Sequence, residues 1–189
     1  MRTIAVHALT LLIATSVLSG CGSRLDDPDH PPTRDEIAHA DAQMRKLPSV
    51  QDTEQQLMAL IRQIADAAKA AAPALSWETE VNRAQHTLGC PGAYSETMGV
   101  SMSTDTLISD APISDSEWPK VVSIARDIAA PHGITALTVL ADQQGNHDVK
   151  LHSPDHGNEI RLGTYENAVM TGVTGCRFRA EDLQNPAPK

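Results

Sequence analysis

The sequence predicts an α+β domain, a two-layer sandwich in which two helices cover one face of a mostly antiparallel sheet. Two stretches of helical apolar period, over residues 49–72 and 114–130, supply the helices. Six short runs of alternating or continuous apolar character supply the strands, parted by clusters of Gly, Pro, Asn and Asp. Hairpin-length connections between the later runs favour antiparallel pairing.

Taken in order, the chain opens with an address. Arg2 is followed by an apolar run from Ile4 to Val17. Those fourteen residues would span about 21 Å as a helix, short of the ~30 Å hydrocarbon core, so a signal-peptide core fits better than a membrane span. Leu18-Ser-Gly-Cys21 follows and resembles the bacterial lipobox. That resemblance implies a signal peptide over 1–20, diacylglycerol on the Cys21 thiol, cleavage before Cys21 and attachment by acyl chains. The alternative is an ordinary secretory signal ending near a cysteine.

Residues 21–48 read as a lipidated, partly disordered tether. Gly22 to Thr33 is polar and proline-rich. Asp35 to Lys46 has a thin apolar face of Ile37, Met44 and Leu47, enough for a short helix that Pro48 ends. The folded domain is expected over 49–182, with a tail at 183–189.

Ser49 suits the N-cap of the first long helix, and Asp52 and Glu54 sit near its positive end. Leu57, Leu60, Ile61, Ile64, Ala65 and Ala68 form one stripe, and Pro73 stops it. Trp77 to Val81 has strand character that fails near Asn82, where a bulge or strand end is expected. Gly89-Cys-Pro-Gly92 is a turn, and Thr97 to Leu107 alternates as a half-buried strand. Ser114 or Asp115 opens the second helix, whose buried face is Trp118, Val121, Val122, Ala125, Ile128 and Ala129. Ile134 to Ala141 is apolar on both faces and predicts an interior strand. A turn at 142–146 leads to Val149–Leu151. Another at 153–157 leads to Glu159–Leu162, and Ala168 to Phe178 is the last strand.

Three cysteines are an odd count. Assigning Cys21 to lipid leaves Cys90 and Cys176, and an oxidising exterior favours a disulfide between them; two buried free thiols are the alternative. The bond would close a loop worth about 4–5 kcal/mol on the chain-entropy model.

The lipobox, the long helix ending near Pro73, Ser114-Asp-Ser-Glu-Trp118 and Val173-Thr-Gly-Cys176 together resemble the LppA-like lipoproteins of mycobacteria, over roughly residues 18–180. The resemblance implies a lipid-anchored envelope protein with an α+β domain, on the outer face of the plasma membrane, with no established activity. It supplies no catalytic residue. Only Cys21, Cys90 and Cys176 match by position and role.

Composition narrows the partners. The chain carries 15 Lys plus Arg against 24 Asp plus Glu, a net charge of −9. Basic residues are scattered, which argues against nucleic acid, and five aromatic residues are too few for base-stacking platforms. Acidity also keeps the domain off anionic lipid, so attachment falls to the acyl chains.

Candidate chemistry is sparse. There is no Gly-x-Ser-x-Gly, phosphate loop, His-Glu-x-x-His or Cys-x-x-Cys. His147, His152 and His156, beside Asp148 and Asp155, could in principle bind zinc or copper. His147 and His152 are five apart, however, and on one strand would face opposite ways. Exposed hairpin histidines are the simpler expectation. Arg177 and Arg179 fit a solvated strand face or an anionic partner. The expectation is a lipid-anchored, non-enzymatic binding or interaction module without cofactor, contacting an envelope protein or a small ligand. It requires an exposed apolar patch or groove on the domain. The alternative is a metal-dependent enzyme on the three histidines.

Overall fold

The computed structural model describes residues 31–81, 87–154 and 157–184. Cys21, with the expected signal peptide and lipobox, lies outside them, as do Asn82, Asp155 and His156. The described residues belong to one unit, Pro31–Lys189.

Helix α1 spans Arg34–Met44. Thr33 and Glu36 form a reciprocal capping box: the Glu36 amide donates to the Thr33 hydroxyl (3.3 Å) and the Thr33 amide donates to the Glu36 carboxylate (2.7 Å). Only Ala40 and Met44 are buried, whereas Leu47 is 38% exposed. Met44 occupies space that Gly99 leaves open, since a Cβ on Gly99 would stand 2.5 Å from its Sδ. The Arg45 guanidinium lies 4.8 Å over the Phe178 ring, and the Val50 amide donates to the Phe178 carbonyl (2.9 Å). The last part of the expected tether is therefore docked, and the ordered unit starts before residue 49. A thin apolar face gave no sign of this, because the socket for Met44 is a missing side chain fifty-five positions away.

Helix α2 spans Val50–Ala68, and Ser49 caps it as expected, accepting from the Asp52 amide at 3.1 Å. Leu57, Ile61 and Ile64 are almost wholly buried, each contributing roughly 1.5–3 kcal/mol. Helix α3 spans Trp118–Ala129. It starts one turn later than the Ser114 expectation. Ser114 instead caps the preceding turn: its hydroxyl (2.6 Å) and amide (3.1 Å) both donate to the Glu117 carboxylate. These two bonds, the hydroxyl's first, hold the Glu117 carboxyl below the usual range. Gly133, at φ +77°, turns the chain out of the helix.

The strands are β1 (Trp77–Glu80), β2 (Thr87–Leu88), β3 (Ser101–Met102), β4 (Thr106–Ser109), β5 (Ala136–Gln143), β6 (Asn146–His152), β7 (Glu159–Thr164) and β8 (Ala168–Val173). Six form one antiparallel sheet in the order β1-β4-β8-β7-β6-β5, and β2 pairs β3 separately. α2 packs on β8 and α3, and α3 reaches β6. Gly172 in β8 permits the close approach of α2, because a Cβ there would come within 2.8 Å of Leu57 and Ile61. Core residues Val149, Leu151, Ile160, Leu162 and Met170 face the helices. The opposite face carries the Asp148–Arg161 and Lys150–Glu159 pairs. The α+β sandwich with an antiparallel sheet is thus as the sequence predicts.

Four elements differ in detail. Ile134 to Ala141 is not interior: β5 ends the sheet. The expected strand over 97–107 is divided, with a 3₁₀ turn at Gly92–Glu96 and two short strands. The last strand stops at Val173 rather than Phe178, because Thr174 turns to pair with β3, its amide donating to the Met102 carbonyl (2.8 Å). A short helix α4, Ala180–Gln184, occupies the end of the expected domain and the start of the expected tail. Cys90 and Cys176 are disulfide-bonded across 86 positions. The bond ties the turn after β2 to the segment after β8.

Candidate functional site

His147 sits on β6 directly across the hairpin from Asp142 on β5. The two-residue turn Gln144-Gly145, with Gly145 at φ +70°, sets that register. The Nδ1 of His147 is 2.8 Å from Asp142 Oδ1 and its Nε2 is 2.8 Å from Asp115 Oδ1. The ring is stacked on Trp118, 5.2 Å between centroids and 15° from parallel. Its side chain is 9% exposed, against 47% for Asp115 and 72% for Asp142. The Gly145 amide also donates to Asp115 Oδ1 (2.7 Å). That amide first, and His147 second, hold the Asp115 carboxyl below the ordinary value. The loop before α3 and the β5–β6 hairpin are joined at this corner.

His152 points to the opposite face, where its Nε2 lies 3.1 Å from the Thr138 hydroxyl. The two histidines therefore do not converge, and both nitrogens of His147 already face carboxylates. Among the described residues no three His, Cys, Asp or Glu side chains are grouped to hold a metal. The sequence expectation placed His147 on an exposed hairpin; it is buried. Its partners could have been found from the hairpin alone for Asp142, since a two-residue turn at 144–145 puts 142 opposite 147. Asp115, thirty-two positions away, had no such signal.

Two open depressions lie elsewhere. One, of about 230 Å³, is bordered by Ser123, Arg126, Asp127 and Thr135; the other, of about 440 Å³, by His132, Ser153, Asn158 and Arg177. Both have polar borders, unlike the mostly apolar cavities that hold small organic ligands. Arg179, the second arginine noted in the sequence, leads into α4, not along a strand.

The exposed apolar surface is more informative. Val139 and Leu140, adjacent on β5, are 55% and 50% exposed. Val139 stands opposite the core residue Val149 on β6, the strand against which α3 packs. Leu140 is the extra residue of a bulge between Val139 and Ala141. β5 bonds to β6 on one side, and no described strand pairs with its other side. The strand carries neither Lys nor Pro, the residues that commonly blunt such an edge. Among the described residues, no helix is long and apolar enough to cross a membrane.

Comparison with known proteins places the molecule. The fold resembles the crystal structure of the lipoprotein LppA from Mycobacterium tuberculosis, with a TM-score of 0.67, 22% identity, and coverage of 81% of this chain and 91% of that one. A family DUF4853 protein from Actinomyces odontolyticus aligns at a TM-score of 0.41 and 16% identity, over 68% of this chain and 71% of that one. No curated protein matches the chain. A family model described as a lipoprotein confined to pathogenic Mycobacterium matches residues 25–180, and with most of its length so matched the chain belongs to the LppA family of lipoproteins.

Proposed function

We propose that this lipoprotein is a non-enzymatic interaction module of the cell envelope, held on the extracytoplasmic face of the membrane by acyl chains on Cys21. It binds an extended segment of another envelope protein as an added strand along β5. The carrying observation is the outer side of β5, which no described strand pairs, with Val139 and Leu140 exposed beside it. In strand addition, main-chain hydrogen bonds give affinity and flanking apolar side chains give selectivity. The eight residues of β5 offer a template longer than any other strand of the protein. A polypeptide fits this surface better than a small ligand does, because the edge is linear and both open depressions are polar.

The test is a photo-reactive side chain at Leu140 in the intact acylated protein, activated in the native envelope. The expected product joins Leu140 to one discrete segment of a second protein and disappears when Val139→Lys is added. Products joined to lipid alone, or to a second copy of this chain, would contradict the reading. So would a product unchanged by Val139→Lys.

A further inference from the structure

We propose that Asp115, His147 and Asp142 form a proton-dependent clamp, in which the His147 imidazolium fastens the β5–β6 hairpin to the loop before α3 and its deprotonation releases that hairpin. The clamp stands on the geometry of one corner and is independent of any partner at β5.

Carboxylates accept hydrogen bonds and do not donate them when ionised. With a carboxylate oxygen 2.8 Å from each ring nitrogen, only the doubly protonated ring donates to both. A neutral ring keeps one N–H and turns a lone pair toward the other carboxylate. One charge-assisted bond is then lost, and the remaining contact sets two acceptors against each other. Either way the hairpin is weakened: loss at Asp142 frees the end of β5, and loss at Asp115 frees the loop that also receives the Gly145 amide.

Among the described residues that face His147 from β7 and α3 and flank it along β6, none offers a charge to take over. The residue facing His147 from β7 is Thr164, whose hydroxyl accepts from the Ile113 amide (2.8 Å). From α3 the ring meets Trp118, which has no charge. Glu117 is turned to Ser114, and Lys120 is exposed. Asp148, next along β6, is engaged with Arg161 on the opposite face. The clamp also lies at a place where release is local. The hairpin tip is exposed on the described side chains from Asp142 to Gly145, while the core behind it is built by α2 and the central strands.

The test uses the full acylated chain in detergent. Hydrogen exchange, corrected for its intrinsic pH dependence, is followed for residues 142–147 and for α2 between pH 5 and pH 9, beside the ring ¹⁵N shifts of His147. Protection of the hairpin should fall about tenfold as the ring loses its second proton, the loss of one charge-assisted bond, while α2 is unchanged. In Asp115→Asn with Asp142→Asn the step should vanish, because neither side chain is then an anionic acceptor. If that variant does not fold, coincidence of the two wild-type midpoints decides the matter. Hairpin protection that stays flat while the ring titrates overturns the clamp. A step of equal size in the folded double variant does the same.

Discussion

The two edges of the sheet are built on opposite principles. β1 has four residues, Trp77-Glu-Thr-Glu80, with both glutamates exposed and Trp77 tied inward through its indole N–H to the Ala65 carbonyl (3.0 Å). Acidic side chains and shortness discourage further pairing there. β5 has eight residues and one charged side chain, Asp142, which is already engaged with His147. Its only irregularity is the bulge at Leu140. One edge is short and acidic; the other is longer and carries Val139 and Leu140 exposed. Under the proposed strand addition, a sheet edge would serve as a binding site without a pocket.

The fastenings differ in the same way. The β2–β3 pair is tied covalently to the segment after β8, since Cys90 follows β2 and bonds to Cys176. The β5 half is held by the His147 corner. Replacing Cys90→Ser and Cys176→Ser should give the largest effect, a loss of about 4–5 kcal/mol in denaturant unfolding, because the closed loop is long. Exchange at β2 and β3 should accelerate before that at β5 does. If β5 loosened first, the contrast between a covalently fastened β2–β3 pair and a β5 held by the His147 corner would be wrong.

Leu162→Ala, at a wholly buried site on the central β7, should cost about 2–5 kcal/mol by removing core volume. Unlike the disulfide change, it should lower protection equally at both edges. Unequal loss would mean that the edges do not share one core.

Much of this was legible beforehand, for definite reasons. α2 and α3 carry 3.6-residue stripes that only a sheet-covering helix needs, and Ser49 caps as its chemistry dictates. The cysteine pair followed from an odd count with one cysteine set aside. β5 was misplaced because an apolar run signals burial, while its place in the sheet depends on strand order, which local pattern does not encode. The same run that suggested an interior strand is what makes this edge unusual. The docking of α1 depended on Gly99, and the partnership of His147 on Asp115, both distant in sequence. The exposed apolar side chains of this edge are Val139 and Leu140.

Smaller effects separate binding from folding. Leu140→Lys should change stability by no more than about 0.5 kcal/mol, since the side chain is half exposed. A thermal melt that fell by much more would show that Leu140 supports the fold and is not held in reserve for a partner.

The smallest effect concerns acid. The Asp115 carboxyl is held below its ordinary value, so its contribution to stability is present above that ordinary value and is lost as pH falls through the lower, folded value. Acid titration of wild type against Asp115→Asn should therefore show curves that converge at the acid end. Curves that separate further toward low pH would reverse the sign.

The central claim is that β5 accepts a strand and β1 does not. Hydrogen exchange of the intact acylated protein, compared between its native envelope and purified detergent solution, addresses it directly. Slower exchange along 136–143 in the envelope, with 77–80 unchanged, is the predicted result. Equal change at both edges, or none at β5, would contradict it.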